Sequence, residues 1–181
     1  MSSPRRRPDP SAQSPAPLIV NGWSIYAHPL FIEQLEALAS EVEQFRAADP
    51  ADFRQKRKTK LLAAIYKMAF EAIPQNPADR AFWLGNTLGA SHRHWHRAKF
   101  FQGRYRLFFR YATAGKAIVL AWVNDEETLR TYGSKADAYT VFKAMLDKDR
   151  PPDDWETLLK EAKAAVPRSK GLLKRTSSTG K

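Results

Sequence analysis

Apolar residues recur at helical spacing over residues 29–46, where Leu30, Phe31, Leu35, Leu38, Val42 and Phe45 fall on one stripe. His28-Pro29 stands before them, and a proline suits the first helical position, so the stripe predicts a helix that Asp49-Pro50 ends. A second stripe, Phe53, Leu61, Leu62, Ile65, Met68, Ala69 and Ile73, predicts a helix over residues 51–73, closed by Pro74 and Pro77. Ahead of both, Leu18 to Ala27 reads as one short strand with an irregular start at its Asn-Gly. Residues 74–91 have the Pro, Asn and Gly of a long loop that Phe82, Trp83 and Leu84 can pin. Three strand-length stretches follow: Trp95 to Phe101, Tyr105 to Tyr111 and Ala117 to Val123. Gln102-Gly103 and Ala114-Gly115 between them are short enough for antiparallel hairpins. Helical spacing returns in DEETLRTY and KADAYTVFKAMLDK. Pro151-Pro152 stops it, and Asp153 or Asp154 can cap a last helix in DDWETLLKEAKAA. One strand, two helices, three strands and C-terminal helices make an α+β fold, with helices packed on a small, mostly antiparallel sheet.

Composition sharpens this. Hydrophobic residues are 43% of the 181, enough for a real core. Cysteine is absent, which excludes disulfides and Cys-ligated zinc and suits a reducing cytoplasm. No apolar run has the length to span a bilayer, and the start lacks the apolar segment of a secretory signal. Residues 1–17 and 167–181 have little to bury and are expected to be disordered basic tails around a domain at 18–166. Much of the net charge of +11 lies in those tails. The domain has a local asymmetry instead: no Asp or Glu occurs from Arg80 to Asn124. Such segregation points to a surface that faces a polyanion.

The bases cluster in HRHWHRAKFFQGRYRLFFRY, residues 92–111. Strand alternation puts Arg97 and Lys99 on one face of the first strand, and Arg104, Arg106, Phe108 and Arg110 on one face of the second. In a hairpin these cations share an open face suited to gripping phosphate. His92, His94 and His96 fall on the other face. No Cys, Asp or Glu nearby in sequence completes a metal site, so solvated histidines are expected and no metal. A basic hairpin, unlike an amphipathic helix, does not suggest membrane binding. Asn124 and Asp125 read as caps of the next helix, and Arg104 or Arg110 can alternatively pair with Glu126 or Glu127.

NGWSIYAHP (21–29), KFFQGRYRLFFRY (99–111), AWVNDEETLRTYGSKADAYTVFKAML (121–146) and PPDDWETL (151–158) together resemble the YhaV toxins of type II toxin–antitoxin systems, within the RelE superfamily. The resemblance covers residues 18–160 and implies a RelE-like fold and an mRNA interferase that blocks translation. It also implies a PrlF-type antitoxin with an AbrB-like DNA-binding domain, operator repression with that partner, and mRNA on the ribosome as substrate. By family spacing the catalytic cations fall on Arg97, Lys99 and Arg106. Arg130 and either Tyr132 or Tyr139 are implied from the segment after the last strand.

The chemistry has its own logic. RNA carries its own nucleophile, the 2′-OH. Cleavage needs that oxygen in line, its proton removed and the phosphorane stabilised. Arg104 and Arg106 suit the phosphate; Lys99, crowded by cations, is expected to titrate low and act as base; Tyr139 or Tyr132 can stack on a base or donate to phosphate. Arg110, Tyr132, Lys135, Lys56 and Arg57 are further expected RNA contacts, though the bases at 54–60 can equally be a solvated helix face. The expected products are a 2′,3′-cyclic phosphate and a 5′-OH, with no cofactor. The alternative is a ParE-like toxin that binds gyrase without catalysis.

Overall fold

A computed structural model describes residues 15–129 and 134–177. Five strands form one sheet in the order β1-β2-β5-β4-β3: β1 is Leu18–Val20, β2 Trp23–Ala27, β3 His96–Phe100, β4 Tyr105–Ala112 and β5 Ala117–Val123. The expected single N-terminal strand is therefore two. Asn21 and Gly22 both take positive φ, 49° and 80°, the left-handed pair that folds a tight hairpin. All neighbouring strands are antiparallel except β2 and β5, which run parallel with Ser24 beside Ala117 and Ala27 beside Leu120.

Between β2 and β5 the chain runs through helices, a loop and the β3–β4 hairpin. Helix α1, Pro29–Ala48, starts where expected, with the buried His28 as cap: its Nδ1 accepts from Leu30 N at 3.3 Å. The predicted second helix is interrupted. It consists of a 3-10 turn at Phe53–Gln55, α2 at Arg57–Lys67, a π-helical turn at Met68–Ala72 and a one-turn α3 at Ile73–Gln75. Pro74 lies inside α3 rather than after the helix. Phe31, Ile32, Leu35, Leu62 and Ile65 press on Leu107, Phe109, Ile118 and Leu120 to form one apolar layer.

The other face of the sheet is also covered. Helix α4, Ala138–Asp147, and α5, Trp155–Ala164, bring Tyr139, Phe142, Leu146 and Leu158 onto Trp95, Phe108, Val119, Ala121 and Trp122. Phe142 stacks on Phe108 with ring centroids 4.2 Å apart. Both faces of β5 are thus dry, and all seven of its residues are buried, as an apolar run without alternation requires.

The expected C-terminal tail is ordered through residue 177: Val166–Ser177 forms α6, which buries Leu172 and pairs Arg168 with Glu36 of α1. Residues 1–14 and 178–181, with the remaining tail expectations, lie outside the described residues. The predicted helix in DEETLRTY is absent over residues 125–129, which form turns. Asp125 Oδ1 accepts from Glu127 N and Thr128 N there, closing a local turn in place of a helix. Among the described residues no helix is long and apolar enough to cross a membrane.

Candidate nucleic-acid interface

The β3–β4 hairpin sets Lys99 directly opposite Arg106, and Arg97 opposite Phe108. Opposed residues of an antiparallel pair share a face with Cβ atoms roughly 5 Å apart, so two like charges meet where pairing would favour opposite ones. The expected grouping of Arg97, Lys99 and Arg106 therefore holds, but the expected open face does not. Helix α4 covers it at Phe108, and Arg106 is only 6% exposed. Arg97 is half-buried, while Lys99 and Arg104 at the hairpin tip are exposed.

The first turn of α4 supplies the group that joins the arginines. Asp137 caps the helix by accepting from Tyr139 N, which fixes Tyr139 over β4. The Tyr139 hydroxyl accepts from Arg97 Nε at 3.0 Å and from Arg106 Nε at 2.9 Å. The Arg106 guanidinium also lies 5.2 Å from the Tyr139 ring centroid and donates to Gly103 O. Arg97 donates again to Ala81 O at 3.0 Å, tying β3 to the preceding loop. Tyr139, 6% exposed and edge-on to Phe108, is thus built into the wall and is not a stacking platform for a base. Its hydroxyl accepts the arginine hydrogens and holds the two planes together. Each guanidinium has five N–H donors, so both retain capacity for an oxyanion.

Asn124 has a role the sequence did not reveal. Instead of capping a helix, its buried Oδ1 accepts from Arg106 N at 2.6 Å, and its Nδ2 donates to Arg104 O and Thr128 O at 3.0 Å. One amide thereby fixes the backbone of both hairpin arginines and the start of the segment leading to α4. Its position directly after an apolar strand, in AWVN, was the available signal. Gln34 of α1 clamps the neighbouring Val123 through both backbone groups.

Among the described residues, no carboxylate forms an ion pair with Arg97, Lys99, Arg104 or Arg106. Glu126, a possible partner of Arg104 or Arg110, instead lies 3.9 Å from Arg57 Nε. This contact sets the exposed Lys56 and Arg57 beside the connection that follows β5. Tyr105, between the two regions, has its phenol pushed up by burial, with the Arg57 charge opposing. Lys135 is exposed in the turn before α4. Arg130 and Tyr132 lie outside the described residues.

Arg110 departs from its expected role. It is half-buried between Trp95 and Trp155, 5.6 Å and 5.4 Å from their ring centroids, and donates to Asp153 O at 2.5 Å. The histidines depart too. His92 and His94 precede β3, and the folded chain brings an acid to them after all: Asp153 Oδ1 lies 3.1 Å from His92 Nδ1 and 2.8 Å from His94 Nε2. Burial alone would raise the Asp153 carboxyl. Hydrogen bonds from Trp95 and His94 outweigh it and hold the group below the usual carboxylate range. His96 stands apart, its ring 4.9 Å from Tyr111 and 5.6 Å from Phe109. Burial pushes it below the ordinary imidazole value, and its N–H to the His94 carbonyl only partly opposes this.

A hairpin of cations that pair with no carboxylate among the described residues suits an anion, and the match to known families gives the class: residues 25–163 fit the family of toxins with endonuclease activity from toxin–antitoxin systems. The chain belongs to this family, the YhaV toxins. It is 53% identical over 146 residues to the ribonuclease toxin YhaV of Escherichia coli K12, covering 80% of this chain and 95% of that protein. The YhaV toxin of Escherichia coli O157:H7 is equally similar, and that of strain O6:H1 is 52% identical over the same length. No solved structure matches the chain.

Proposed function

We propose that the chain is the toxin of a type II toxin–antitoxin pair and an endoribonuclease that cuts mRNA on the ribosome in the cytoplasm, arresting translation and growth. The carrying observation is the Tyr139 hydroxyl joining Arg97 and Arg106 beside Lys99, in a corner where the described residues supply no neutralising carboxylate. The name of the K12 relative, a ribonuclease toxin, supports RNA as the substrate.

In this reading the scissile phosphate sits against Arg97 and Arg106, whose donors are fixed before substrate arrives. Preorganised donors of this kind stabilise the phosphorane without reorganising during reaction. Lys99, exposed and opposite Arg106, takes the 2′-OH proton as that oxygen attacks phosphorus. The P–O5′ bond breaks, the leaving oxygen takes a proton from solvent water, Lys99 returns the proton it received to solvent, and the products are a 2′,3′-cyclic phosphate and a 5′-OH. Arg104 holds a neighbouring phosphate; Lys56, Arg57 and Lys135 extend the basic track. Arg130 and Tyr132 remain candidates for the same site. Tyr139 is a positioning residue. The antitoxin is of the PrlF type, and its AbrB-like domain carries the complex to operator DNA.

Incubating the protein with mRNA, with and without ribosomes, and determining the chemistry of the new ends tests this. Cyclic phosphate and 5′-OH ends are expected; 5′-phosphate ends would overturn the mechanism. Intact RNA with failed DNA supercoiling in arrested cells would favour the gyrase-binding alternative.

A further inference from the structure

We propose that His92, His94 and Asp153 form a binding site for a divalent transition-metal cation of the zinc class, separate from the cation corner at Arg106. One ligand atom each from His92, His94 and Asp153 lies within 4.8 Å of the other two, and Asp153 Oδ1 is 3.1 Å from His92 Nδ1 and 2.8 Å from His94 Nε2. Zinc bound tetrahedrally at about 2.0–2.1 Å holds its ligand atoms roughly 3.3 Å apart, so small side-chain shifts convert this cluster into a coordination set. Two imidazoles and a carboxylate leave one position for water, and that donor set suits zinc, nickel or cobalt rather than the all-oxygen preference of magnesium and calcium.

A second observation supports the assignment. The fully buried Trp95 donates from Nε1 to Asp153 Oδ1 at 2.7 Å. A fixed donor of this kind aims a carboxylate, as outer-shell partners do at metal centres. The side chains of His94 and Asp153 are 36% and 32% exposed, so an ion can enter and a water can complete the shell. Arg110 opposes the ion, since its guanidinium donates to the Asp153 carbonyl. Its charge weakens the site, so the affinity is expected to fall short of a structural zinc site. Bound metal would clasp the segment entering β3 to the segment entering α5. It would lie on the order of 13 Å along β4 from Arg106, four residues at strand rise. The site therefore acts on the support of the hairpin and does not depend on the RNA-cleavage reading.

The test uses the full chain without a histidine tag, stripped with EDTA and dialysed. Calorimetric titration with Zn²⁺ is expected to show one saturable equivalent, and thermal unfolding a raised Tm, with no response to Mg²⁺. The His92→Ala/His94→Ala double variant keeps the other two histidines, His28 and His96, and is expected to lose the zinc response. Asp153→Asn preserves size and the acceptor for Trp95; it is expected to keep the native circular-dichroism spectrum and bind zinc at least tenfold more weakly. Absence of saturable zinc binding in the wild type, or equal binding by a folded variant, would show the cluster to be a hydrogen-bonded clasp and overturn the proposal.

Discussion

Arg106 and Arg110 stand four residues apart on one face of β4, both under the α4–α5 layer, yet their surroundings differ in kind. Arg110 is closed in. Two indoles cover it, a backbone carbonyl accepts from one of its terminal nitrogens, and burial, which disfavours its charge, is only partly offset by Asp153 and Asp154. Arg106 is more deeply buried, but its partners are neutral: a phenol, a glycine carbonyl and the π face of the same phenol. A second arginine shares the phenol and a lysine stands opposite. Burying charge without a counterion is costly, so the Arg106 corner stores an affinity for an anion that the Arg110 corner has already spent within the protein.

Substitutions can break that contrast. Arg106→Ala is expected to lower RNA cleavage by about 10²–10³-fold, the scale of removing one preplaced oxyanion donor, while antitoxin binding is retained; toxicity undiminished at equal expression would place the site elsewhere. Tyr139→Phe leaves the ring on Phe108 and removes the shared acceptor. A fall of about tenfold in kcat with little change in KM is expected, because the arginines lose alignment rather than charge. Arg110→Ala should do the opposite. It should cost about 1–3 kcal/mol in denaturant unfolding through lost aromatic and carbonyl contacts, and leave RNA affinity and its salt dependence unchanged; a weaker salt slope would return Arg110 to the RNA surface.

The smallest expected effect concerns pH. His96 has its folded pKa below the unfolded value of 6.5, so the unfolded chain binds more protons between the two. Its contribution is unchanged above pH 6.5, and stability declines as pH falls from there through the folded value. His96→Gln should flatten that part of a stability–pH curve. Asp153, with its carboxyl held low, adds stability above its unfolded value of 3.8 that is lost only in stronger acid.

Local signals made much of this legible. Helical spacing located α1, and alternation with short turns located the β3–β4–β5 meander and grouped Arg97, Lys99 and Arg106. What sequence spacing does not carry is long-range closure. Nothing near residue 106 announces that Tyr139 will roof it, so the face read as open. Nothing near residue 92 announces Asp153, so the histidines read as solvated. The Asn-Gly at 21–22 carried a hairpin signal, but the strands on either side are so short that they read as one. Helix α6 was hidden by its basic composition: among the described residues, buried Val166 and Leu172 and the pairing of Arg168 with Glu33 and Glu36 anchor it.

The parallel pairing of β2 with β5 has a consequence during synthesis. A chain emerging from the ribosome can pair β2 with β1 at once but must wait for β5, which begins at residue 117, before β2 has its second neighbour. Such distant pairing slows folding. The arginine corner waits longer still, because Tyr139 and its cap Asp137 follow β5. A nascent chain therefore carries its cationic hairpin before the roof that aligns it, and the competent site is completed only when α4 has left the tunnel. For a protein whose proposed target is the translating ribosome, the order of the fold itself delays the weapon until the segment that follows β5 has been made.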